Sequence, residues 1–88
     1  MKPNKRLRAA ILEAINNQIA ANDPPETKIT FERLISLGHS DFVAKQYIGQ
    51  CVVVEIFDIM KHGKEFDRER YIKNLKQLPK PPFDDVDI

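Results

Sequence analysis

DFVAKQYIGQCVVVEIFDIMKH, residues 41–62, is the stretch on which the reading of the whole chain turns. Ser40 ahead of it is a good N-cap and Gly63 behind it a good helix stop. About 22 residues lie between them, which makes a helix roughly 33 Å long. Its apolar residues do not keep to one stripe. At about 100° per residue, Val52 and Ile59 point one way, Phe42, Val53 and Met60 another, and Val43, Tyr47, Cys51 and Val54 cover the far side. A helix apolar on so many sides wants neighbours on several sides, so this one is expected to be the central post of a small helical domain.

Working outward, the N-terminal side carries two shorter helices. Over residues 4–21, Leu7, Ile11, Ile15 and Ile19 recur at four-residue spacing, widened by Leu12 and Ala14. Asn22-Asp23-Pro24-Pro25 breaks the chain, because each proline removes a backbone donor and pushes its predecessor out of helical geometry. A second helix follows over 26–37, with Phe31, Leu34 and Ile35 expected in the core and Lys28, Glu32 and Arg33 in water. Gly38 is suited to the left-handed position that links it to the long helix.

On the C-terminal side, Asp67 reads as the N-cap of a fourth helix over 68–78, with Phe66 and Tyr71 placed as a hydrophobic staple. Tyr71, Ile72, Leu75 and Leu78 form its apolar face, and Pro79 stops it. The expected architecture is all-α: one four-helix domain over residues 1–79 and a proline-rich, acidic tail over 80–88, KPPFDDVDI. That tail holds too little apolar surface to offset the entropy of ordering it.

Composition narrows the class. The chain has 88 residues, 42% hydrophobic and 31% charged, and a formal charge of +1. That is room for one modest core, in the composition range of globular proteins and outside that of disordered ones. The near-neutral charge implies no strong pull toward nucleic acid or an anionic membrane. The longest unbroken apolar run, Cys51 to Val54, is far too short for a membrane span. A lone cysteine cannot close an intramolecular disulfide, and charged and amide residues interrupt any signal-like run at the N-terminus; both favour a cytoplasmic location.

The chain has a recognisable pattern. Gln18-Ile19, Pro24-Pro25, Leu34 with Leu37-Gly38, Ala44 with Ile48-Gly49, Gly63 with Phe66-Asp67, and Arg70-Tyr71 with Leu75 and Leu78-Pro79 follow one another along the sequence. In this it resembles a family of small bacterial all-helical domains of unknown function, over roughly Leu7 to Pro79. The resemblance lies in caps and core positions, so it implies a fold and not a chemistry. Members of that family carry histidines on the first helix and before the Ile-Gly pair; the matching positions here are Asn4, Arg8, Leu12 and Gln46, and no metal role carries over.

Candidates for chemistry are few. Glu55 is the single charge between Cys51 and Phe57 and the natural candidate for a buried carboxylate, paired with an arginine such as Arg8 or Arg70; the sharper alternative is a proton-transfer group. Glu55, Asp58 and His62 share one helix face and are weak metal-ligand candidates, more simply a solvated strip. Cys51, among valines with no second cysteine, reads as a core thiol, and Gly49 as a point of close helix approach. No glycine-rich phosphate loop and no catalytic triad spacing is present.

The expectation is therefore a non-enzymatic protein-interaction module without cofactor, homodimeric through its first and third helices. The alternatives are a nucleic-acid accessory protein using the basic N-terminus and fourth helix, or a helical domain binding a metal or small ligand. Interaction candidates are Lys5, Arg6, Arg8, Arg68, Arg70 and Lys73, with Phe83 and Ile88 as apolar anchors in the tail.

Overall fold

The computed structural model describes residues 5–82, which form four helices: α1 (Lys5–Ala21), α2 (Pro25–Ser36), α3 (Asp41–His62) and α4 (Arg68–Gln77). The expected all-α architecture holds, with boundaries within a residue of those read from the caps. No strand occurs among the described residues.

The helix ends follow from local chemistry. Ser40 and Asp67 each accept a bond from the backbone N–H three residues on, at Val43 and Arg70. The Phe66 and Tyr71 rings meet edge-on at 5.3 Å, which is the staple foreseen from their positions. Three helices end on a left-handed residue: Asn22, Gly38 and Gly63. After α1 the N–H of Asn22 reaches Ile19 O and that of Asp23 reaches Gln18 O. After α2, Gly38 and His39 do the same toward Ile35 and Leu34, so both ends satisfy their last carbonyls by the same paired motif.

The core is Ile15, Leu34, Ala44, Ile48, Cys51, Val52, Tyr71, Leu75 and Leu78, with Ile11, Ile19, Phe31, Tyr47 and Ile56 packed around it. α3 touches all three other helices, as a central post should, but α2 does so as well. The centre is thus shared between two helices. α1 and α4 each pack against α2 and α3, and they meet each other through the Tyr71–Gln18 hydrogen bond.

α2 departs from the sequence reading in its rotation. Its buried residues are Thr27, Thr30 and Leu34, while Ile35 is 39% exposed. The reason is polar. The Thr27 hydroxyl donates to Gln18 Oε1 at 2.7 Å and lies 3.4 Å from the Tyr71 hydroxyl, which donates to the same Gln18 oxygen at 2.8 Å. This triangle joins α1, α2 and α4, and it turns the threonine edge inward. Arg33, expected in water, is pulled the other way: its guanidinium donates to Leu78 O at 2.6 Å and Leu75 O at 3.0 Å, closing the C-terminal end of α4.

Gly49 is buried on α3 against α1, and a Cβ there would stand 3.4 Å from Ile11 Cγ2. The close approach read from its position is present.

Candidate functional site

The most elaborate polar arrangement lies between the second half of α3 and the start of α4. Glu55 is fully buried. Arg70 Nε donates to Glu55 Oε2 at 2.7 Å and Arg70 Nη2 donates to Glu55 Oε1 at 3.0 Å, a two-pronged pair. The Asp67 backbone N–H donates to Glu55 Oε1 at 2.9 Å. The same Arg70 Nη2 reaches Asp58 Oδ2 at 3.1 Å, and His62 Nδ1 stands 2.9 Å from Asp58 Oδ1. Four side chains thus run from the interior to the surface as one network.

The network is a clamp. α3 supplies Glu55, Asp58 and His62 at three- and four-residue spacings, which places them on one side of the helix. α4 supplies Arg70 from its first turn, held there by the Asp67 cap. Of the two arginines considered for Glu55, Arg70 is its partner. Arg70 is bound so firmly between carboxylates that its guanidinium holds its proton more tightly than usual, first through the hydrogen bond to Glu55 and then through that to Asp58. Asp58 is held below its ordinary 3.8 by the hydrogen bonds from His62 and Arg70.

A carboxylate engaged on both oxygens has little left for a metal or a substrate. Among the described residues no group of three or more His, Cys, Asp or Glu is placed to hold a metal ion. Cys51 is buried, and its thiol is pushed up to about 12, by burial first and then by the nearby Glu55 charge, which makes it a poor nucleophile.

Acid should loosen the clamp. A carboxyl with a lowered folded-state pKa contributes stability that is present above the unfolded value and lost as pH falls through the folded one. Asp58 therefore contributes in full above about pH 4, and that contribution is lost progressively as pH falls from there through its lower folded-state value. Asp58→Asn should flatten the acid limb of a thermal-melting profile measured between pH 2 and pH 5, relative to the unchanged chain. An identical acid limb in the two proteins would show that Asp58 is not a source of it.

The basic candidates are scattered. Lys5, Arg6 and Arg8 lie on the exposed start of α1; Lys73 lies on α4, where it borders a shallow depression with Ile72, Lys76 and Gln77. Because α4 meets the C-terminal end of α1, at Gln18 and at Asp23 just beyond it, the basic start of α1 is not brought to it. Arg68 pairs with Asp23 at 3.3 Å, and Arg70 is consumed by the clamp. Phe83 and Ile88 lie outside the described residues.

The surplus apolar circumference of α3 leaves part of it open, and the structure shows which part. Phe42 is 57% exposed, Phe57 51% and Met60 79%, and the three fall within about 60° of one another around the helix. Val43, Gln50, Val53 and Val54 are half-buried beside them, and Gln46 is exposed. Of the buried residues, Ala44, Ile48, Cys51, Val52 and Glu55 occupy the opposite side, while Gly49, about 20° from Phe42 and Met60 around the helix, is covered by Ile11 and Ile15 of α1. The apolar wheel of α3 demands several neighbours, and the other three helices cover the opposite side together with the rim of this one at Gly49. Gln50 Oε1 is shielded from solvent and accepts no hydrogen bond from the described residues.

These features define a small all-helical domain with a polar clamp on one side of its longest helix and an open apolar face on the other. No family model, curated protein or solved structure matches the chain. No helix among the described residues is long and apolar enough to cross a membrane.

Proposed function

We propose that the protein is a non-enzymatic protein-interaction module and that the outer face of α3 is its binding surface. The observation that carries this is the exposure of Phe42, Phe57 and Met60 along one side of a 22-residue helix. Scattered exposed apolar residues are ordinary on a protein surface; large ones aligned on one rigid helix are a feature of docking faces. The rest of the polar chemistry is engaged in holding the fold: Glu55 and Arg70 clamp α4, Arg33 closes its far end, and Gln18, Thr27 and Tyr71 tie three helices together. Resemblance to small bacterial helical domains of unknown function fits a fold of this kind and adds no activity.

The test is photo-crosslinking in cells. A benzophenone amino acid placed at Phe57 or Phe42 should yield discrete protein adducts on irradiation. The same group at Glu32, on the outer side of α2, should not. Absence of adducts from both α3 positions would end this reading.

A further inference from the structure

We draw no further inference here: the strongest candidate, the open apolar face of α3 at Phe42, Phe57 and Met60, already carries the proposed function, and nothing in the structure shows what covers it.

Discussion

Replacing Tyr71 by alanine is expected to remove a large part of the protein's stability. Among the described residues its side chain is the largest that is fully buried; its hydroxyl donates to Gln18 beside Thr27, and its ring seats Phe66. Emptying such a site costs about 3–5 kcal/mol. A domain of this size holds roughly 4–13 kcal/mol in total. Urea unfolding followed by circular dichroism should show the midpoint falling by several molar or the transition lost altogether, since small domains have slopes near 1 kcal/mol/M. Tyr71→Phe separates ring from hydroxyl. Thr27 still donates to Gln18, so the expected loss is only about 1 kcal/mol. The tyrosine itself adds an alkaline signature: burial pushes its pKa from 10.0 to about 12. A raised folded-state value means stability that is present below the unfolded pKa and lost as pH rises from about 10 to 12. Tyr71→Phe should lack that part of the decline. Equal stability of Tyr71→Ala and the unchanged chain would overturn this account of the core.

The second large effect is expected from Arg70→Met, which keeps the aliphatic length of the side chain and removes its charge. Glu55 would remain buried with one hydrogen bond left, from the Asp67 N–H. Breaking a buried pair on one side costs about 3–5 kcal/mol when the abandoned charge is sealed from water. Arg70 is partly open, at 35% side-chain exposure, so water can reach the vacated side and about 2–3 kcal/mol is a better expectation after allowing for solvent screening. The double change Glu55→Gln with Arg70→Met should recover much of the loss, because no unpaired charge is then buried. If the single and double variants melt at the same temperature, the damage comes from lost packing and the clamp is not electrostatic.

The fold was legible because it is written in local chemistry. Ser40, Gly38, Gly63, Asp67 and the Phe66–Tyr71 staple act within a few residues of themselves, and each sits where its side chain or backbone freedom demands. The pairing of Glu55 with Arg70 was half legible: a lone carboxylate inside an apolar run needs a cation, but Arg8 and Arg70 were equally eligible until α4 was seen to pack on α3. The inward turn of α2 was not legible at all. Thr27, Gln18 and Tyr71 are separated by up to 53 residues, and nothing in a helical period says that a threonine edge will outcompete Ile35 for the interior. Arg33 was misread for the same reason, since its partners are the carbonyls of another helix. The open face of α3 was visible in outline as surplus apolar circumference; which side would stay open depended on where three other helices came to rest.

Arg33 and Glu55 together have a consequence for α4. That helix has 10 residues, fewer than the roughly 12–15 at which an isolated helix becomes even marginal in water. Its first turn is tied down from α3, through Glu55 to the Asp67 N–H and the Arg70 guanidinium. Its last carbonyls are covered from α2, by Arg33. Its helicity is thus conferred by the tertiary structure: neither end can fray while the rest of the domain stands, and the segment has little reason to be helical once it does not. α4 is then a reporter of the integrity of the whole domain, and its amide protons should exchange only as fast as the protein globally unfolds.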